Sequence, residues 1–219
     1  MKNIKKPKWE QSFNLPKLGS NIHIWRADLN SHKCKIKNLS TDELMRLEKF
    51  SDKRLKNNFC ISRSILRNIL IKYLDLPPEE VIIKHQKNGK PALANQGIKL
   101  NFNLSHTDNW VLLAISRDCR VGIDLEKCNS KLDRRKIAKR VFDKNIYQKL
   151  ANSNFDEDIF CKFWTQFEAR QKCFGSGVFG ERITASKVSI LSFFVFQGIY
   201  SSIAWSDTLI EPKISYFDL

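Results

Sequence analysis

The sequence predicts an α+β protein built as two lobes of similar layout. Three observations point there. Apolar residues recur at three- and four-residue spacing in two separate regions, 52–74 and 156–174. Each region is followed by apolar or alternating runs of strand length. Turn signals, Asn88-Gly89 and Gly175-Ser176-Gly177, punctuate the chain after each helical region. The order helix, strands, helix, strands fits two small antiparallel sheets packed with helices.

The elements follow in chain order. Residues 1–20 carry Lys, Pro and Gly and read as a tail. Residues 21–29 alternate in part and read as a strand. Ser40 followed by Glu43 is a capping-box signature that opens a helix near Thr41. A longer helix is expected over 52–74, from Leu55, Phe59, Ile65, Leu66, Ile69, Leu70 and Tyr73, and Pro77-Pro78 stops it. Strands are expected at 81–85, 100–104, 110–116 and 120–126. Helical patterns return at 133–142, 143–150 and 156–174, the last ended by Gly175 and Gly177. From 187 onward the chain reads as three short strands.

With 42% apolar and 11% aromatic residues, the 219-residue chain can bury a core, which excludes wholesale disorder. Its 38 basic and 23 acidic side chains leave a formal charge of +15, a surface suited to polyanions, anionic small molecules or acidic proteins. Six cysteines at 34, 60, 119, 128, 161 and 173 form no CxxC and no Cys/His zinc spacing, and scattered thiols of this kind suggest a reducing compartment. The basic residues 1–12 lead into no apolar stretch, so no secretory signal is expected. The longest apolar run, 188–196, is of strand length, so no membrane segment is expected either. A soluble cytoplasmic protein follows.

Four short patterns carry chemistry. In Gly122-Ile123-Asp124-Leu125-Glu126 the two carboxylates are two residues apart, so on a strand both project from one face. Such acids repel unless a cation lies between them, and oxygen ligands suit Mg²⁺. On a helix, Trp164, Glu168 and Lys172 fall at i, i+4 and i+8 and share a face. Phe102-Asn103-Leu104-Ser105-His106 is an alternating strand that ends in groups able to hold a phosphate. Asn88-Gly89-Lys90-Pro91 is a tight turn presenting a lysine. Each pattern, taken alone, also has a bland reading as solvated acids, a helix ion pair, a strand end or a turn.

Together and in this order they resemble the 4′-phosphopantetheinyl transferase family, surfactin-synthetase-activating type. The matching motifs are Gly89-Lys90-Pro91, Phe102-Asn103-Leu104-Ser105-His106, Gly122-Ile123-Asp124-Leu125-Glu126 and Trp164-Thr165-x-x-Glu168-Ala169-x-x-Lys172, with a Gly-rich turn after them. Arg63, Leu66-Arg67 and Tyr73-Leu74 also look like the family's N-terminal lobe. The resemblance spans residues 50–180. It implies a pseudo-twofold, two-lobe monomer, with an N-terminal lobe over 1–104, a C-terminal lobe over 105–219 and the active site in the cleft between them. It implies Mg²⁺ held by Asp124, Glu126 and Glu168, and Lys172 near the pyrophosphate of coenzyme A. Lys90, Ser105, His106 and Arg63 would hold the adenosine end with its 3′-phosphate.

The implied reaction moves phosphopantetheine from coenzyme A to a serine of an acidic acyl or peptidyl carrier protein, releasing 3′,5′-ADP. Glu168 or a metal-held water is the candidate base, and Asp124, Glu168 and Lys172 form the catalytic set. The carrier's pathway, whether fatty-acid, polyketide or nonribosomal peptide, is not specified by these motifs. The chain departs from the family at Phe167, where many members have a basic residue; Arg170 or Lys162 stand nearby as substitutes. An alternative is a basic nucleic-acid-binding protein. Against it, the chain has no RNP aromatic motif, zinc-finger spacing or basic low-complexity arm, so no nucleic-acid partner is expected.

Overall fold

The structure is a computed structural model and describes residues 4–11, 17–86, 89–128, 132–175, 188–206, 208 and 210–219. Asn88 and the Ser176-Gly177 turn lie outside the described residues. In chain order the elements are β1 (Glu10–Gln11), β2 (Ile22–Asp28), α1 (Thr41–Glu48), α2 (Lys53–Leu74), β3 (Ile83–His85), β4 (Pro91–Leu93), β5 (Asn101–Thr107), β6 (Trp110–Ser116), β7 (Arg120–Lys127), α3 (Arg134–Val141), α4 (Lys144–Asn152), α5 (Glu157–Phe174), β8 (Val188–Phe196), β9 (Ile199–Ser206) and β10 (Ile214–Asp218).

The two halves share one connectivity. In the first, β2 pairs antiparallel with β6, which pairs antiparallel with β5. In the second, β7 pairs antiparallel with β9, which pairs antiparallel with β8. Each first strand is followed by a long helix, α2 or α5, that covers the sheet. The sheets pack face to face, giving four layers: α2, first sheet, second sheet, α5.

Period-two alternation builds these layers. On β6, Val111, Leu113 and Ile115 meet α2, whereas Leu112 and Ala114 meet the second sheet. Buried on both faces, β6 reads as a near-continuous apolar run. On β7, Val121, Ile123 and Leu125 point into the space between the sheets. Gly122, Asp124 and Glu126 therefore face α5.

The helices start where the sequence says. Ser40 and Glu43 form the reciprocal capping box of α1, and Asp52 and Asp156 cap α2 and α5 through their side chains. Gly175 ends α5 at φ 76°, a left-handed conformation that suits glycine.

Four expectations differ from the structure. The boundary expected at 104/105 falls inside β5, because this strand and β6 complete the first sheet; the second sheet begins at Arg120. The last of the three C-terminal strands, β10, lies parallel to β2 in the first sheet, and not with β8 and β9. Residues 1–20 are not only a tail: β1 extends that sheet beyond β10, and Lys5 bridges to Phe193. Finally, the cysteines are not all scattered in space: Cys34 lies beside Cys60 and Cys128 beside Cys161, at Cα separations of 5.3 and 6.0 Å. Tertiary packing brings these distant cysteines together, so their sequence spacing carried no signal. Cys119 and Cys173 are buried apart from these two pairs. No helix of the described residues is long and apolar enough to cross a membrane.

Candidate active site

The site forms where β5, β7 and α5 meet. Gly122 makes this possible. A Cβ there would overlap the Ala169 carbonyl and the Cys173 backbone of α5, so only glycine lets the helix lie directly on the strand. One step along β7, Asp124 is 1% exposed and faces the helix. Lys172 of α5 reaches it, with Nζ 2.6 Å from Oδ1. Lys172 also donates to Ser105 Oγ at 3.0 Å, and Ser105 donates to the same Asp124 oxygen at 3.2 Å. Asp124 Oδ2 is buried and has no hydrogen-bond partner among the described residues. The Asp124 carbonyl accepts from Ser201 Oγ at 2.6 Å, which fixes the strand from its other neighbour.

The two glutamates complete the cluster. Burial pushes the Glu126 carboxyl up to about 7, and the Asp124 charge adds to this; Lys172 and a hydrogen bond with Trp164 oppose it, and Glu168 adds a little. Glu168 is raised as well, first by burial and then by Asp124, with Lys172 opposing. Asp124, Glu126 and Glu168 thus share one electrostatic neighbourhood, and Trp164, Glu168 and Lys172 share one helix face. Even so, no three His, Cys, Asp or Glu among the described residues close around a common ion position. The ammonium of Lys172 is the cation that Asp124 holds.

Strand alternation divides the remaining candidates. Ser105 faces β7, as does Asn103, whose side-chain oxygen accepts from the Ile123 amide at 2.8 Å along the edge of β7. His106 points the other way and is exposed. It lines a cleft of about 680 Å³ together with Arg46, Arg54 and Arg63, and with the carboxylates of Asp52 and Asp108. Arg63 is 8% exposed, and its Nη1 has no partner among the described residues. The guanidinium groups of Arg63 and Arg46 lie 5.2 and 5.4 Å from the Phe59 ring centroid. Sequence reasoning missed Arg46 and Arg54; neither stands at a same-face helical spacing to Arg63, and only the packing of α1, α2 and β5 brings them to one cleft.

Lys90 stands elsewhere. Its ammonium donates to the Val121 carbonyl at 3.0 Å and the Cys173 carbonyl at 3.1 Å, joining the turn to β7 and to the last turn of α5. Burial pushes its pKa down to about 8. Phe167 turns away from the acids and packs against Phe142 and Trp164, in the apolar cluster between α3, α4 and α5. Phe167 is half-buried, and its ring fits this apolar cluster.

Two halves of one layout thus carry an acid–lysine cluster where β5, β7 and α5 meet, beside an arginine-lined cleft. Residues 23–118 match the family model "4'-phosphopantetheinyl transferase, N-terminal", and residues 120–203 match "4'-phosphopantetheinyl transferase superfamily". The chain is 36% identical over 174 residues to the 4'-phosphopantetheinyl transferase HetI of Nostoc sp., covering 75% of this chain and 73% of that protein. It is 30% identical to the 4'-phosphopantetheinyl transferase gsp of Aneurinibacillus migulanus, covering 69% and 59%. It is 27% identical to the mouse L-aminoadipate-semialdehyde dehydrogenase-phosphopantetheinyl transferase, covering 65% and 50%. The chain belongs to the 4'-phosphopantetheinyl transferase family.

Proposed function

We propose that the protein transfers the 4′-phosphopantetheine group of coenzyme A to a serine hydroxyl of an apo acyl or peptidyl carrier protein, with Mg²⁺, releasing 3′,5′-ADP. The observation that carries this reading is the meeting of Asp124, Ser105 and Lys172 from three elements, with Glu126 and Glu168 beside them.

The donor types suit Mg²⁺, although these side chains are not drawn around a common ion position here. The donors of Asp124, Glu126 and Glu168 are all carboxylate oxygens, and Asp124 Oδ2 is buried and unpartnered among the described residues. The upward shifts of Glu126 and Glu168 come in part from neighbouring carboxylates, a repulsion that a bound cation reverses. When bound, Mg²⁺ would act as a Lewis acid that offsets the charge of the pyrophosphate oxygens.

The chain's own residues do the rest. Arg63, Arg46, Arg54 and His106 receive the 3′-phosphate end of coenzyme A in the cleft. Lys172, one helical turn beyond Glu168, moves from Asp124 to the substrate phosphates and stabilises charge on the leaving ADP. Glu168, its basicity raised by burial, takes the proton of the carrier serine. The serine oxygen bonds to the phosphorus that carries pantetheine, and the bond from that phosphorus to the ADP oxygen breaks. Ser105 orients Asp124. Lys90 acts at a distance, by clasping β7 to the end of α5.

The test is the intact mass of an apo carrier after incubation with this protein, coenzyme A and Mg²⁺. The expected result is a gain of the phosphopantetheine mass that EDTA abolishes and that Asp124→Ala loses while remaining folded. A fully active Asp124→Ala/Glu168→Ala variant would overturn the metal assignment. No gain on fatty-acid, polyketide and peptide carriers, together with no coenzyme A binding, would overturn the whole reading.

A further inference from the structure

Among the described residues, two carboxylates have a buried oxygen without a partner: Asp124 and Glu43. Glu43 lies outside the acid–lysine cluster and is 2% exposed. Its Oε2 accepts from the Ser40 amide at 2.9 Å, closing the start of α1, and from Arg67 Nε of α2 at 2.9 Å. Arg67 is itself buried and donates to the Val81 carbonyl at 2.9 Å. One carboxylate thus fastens α1, α2 and the segment entering β3.

The residues around this point are cationic. Arg63 lies one turn before Arg67 on α2, and Arg46 lies three residues after Glu43 on α1; both line the basic cleft. Arg63 is pulled down by burial and by the charges of Arg46 and Arg67, and Glu43 is the group that opposes this. Two buried guanidinium groups one turn apart repel, and a single carboxylate in contact with Arg67 offsets that repulsion. Arg63 is left with a buried N–H free of partners among the described residues, on the wall of the cleft.

We propose that Glu43 is a positioning residue for coenzyme A recognition: by neutralising Arg67 and fixing α1 on α2, it holds Arg63 and Arg46 toward the cleft, ready for the 3′-phosphate. This rests on the reading of the cleft as the place of that phosphate. Glu43 does not touch the substrate. It acts through the two arginines, so its loss falls on nucleotide selection and not on the chemical step.

The experiment compares coenzyme A with 3′-dephospho-coenzyme A in carrier modification, in wild type and in Glu43→Gln, and measures the thermal shift that each nucleotide gives. Wild type is expected to favour coenzyme A. Glu43→Gln is expected to lose about tenfold of that preference, the worth of one charge-assisted hydrogen bond. The loss should appear as a higher KM for coenzyme A, with kcat and the dephospho substrate little changed, and Glu43→Asp should restore part of it. If Glu43→Gln does not fold, the double variant Glu43→Leu/Arg67→Met replaces the buried pair with apolar groups and leaves Arg63 without its counter-charge. With the Arg67 charge removed as well, only the tie between α1 and α2 is lost, and a smaller but still selective loss is expected. Equal impairment with both nucleotides would make Glu43 merely structural and overturn the proposal. So would a retained preference in both variants. A wild type that does not distinguish the two nucleotides would overturn the reading of the cleft itself.

Discussion

His23 stays neutral near pH 7, and its neighbours show why. The ring is 1% exposed on β2, and its Nδ1 lies 2.8 Å from the Tyr73 hydroxyl, which accepts from Trp25 Nε1 at 2.8 Å. With Trp25 donating to that oxygen, the hydroxyl hydrogen is available to an unprotonated Nδ1. Burial lowers the His23 pKa from 6.5 to about 4. The unfolded chain binds this proton first as pH falls, so the contribution of His23 to stability is present above pH 6.5 and is lost as pH falls toward about 4. The full effect is on the order of 3 kcal/mol. Thermal melts of His23→Gln are expected to be flatter across that window than those of wild type; identical pH profiles would show that His23 does not titrate on unfolding. The individual acids of the site were legible in the sequence because strand and helix periodicity project them on known faces. The direction of His106, away from Ser105, is equally a matter of alternation. The ion pair of Lys172 with Asp124 was not legible, because it depends on the depth at which α5 sits on β7.

That depth belongs to the scale of elements, and Gly122 sets it. A methyl group at this position meets backbone, not a flexible side chain, so α5 must lift from β7. Gly122→Ala is expected to lower stability by at least about 2 kcal/mol, as overpacking does. It should also reduce transfer more than stability alone explains, since Lys172 and Glu168 ride on the displaced helix. An active variant with an unchanged melting temperature would mean that the helix tolerates the shift. The capping box at Ser40 and Glu43 was readable from four residues because a helix start is a local contract between side chains and nearby amides. The strand β4 was not readable: Pro91, Ala92 and Leu93 carry no alternation, and only pairing with β3 makes them a strand. The role of Arg46 was hidden for a related reason, since the angle between α1 and α2 decides whether it reaches the cleft.

Across the whole molecule, the charge of +15 and the proposed acidic carrier belong together. The KM for carrier is expected to rise several-fold between low and near-physiological salt, because exposed charges are screened over about 10 Å at 0.1 M. Steady-state kinetics at fixed coenzyme A would check this, and a KM insensitive to salt would remove steering from the account. Fold class and doubled layout were legible from the succession of helical and strand periods. The division between lobes was not, because periodicity shows that a strand exists and not which sheet receives it.

β10 is the strand for which this matters most. It completes the first sheet next to β2, yet it is joined to the second sheet in sequence. A nascent chain that has reached Ser116 holds β2, β5 and β6 but lacks the strand that covers the β2 edge. It also lacks Phe217, which packs on Trp25 and His23. The first lobe therefore stays unfinished until nearly the whole second lobe has left the ribosome, with an open strand edge during that wait. Dividing the protein near residue 119 for expression as separate halves would cut where the fold looks divisible and yet leave both pieces in need of each other.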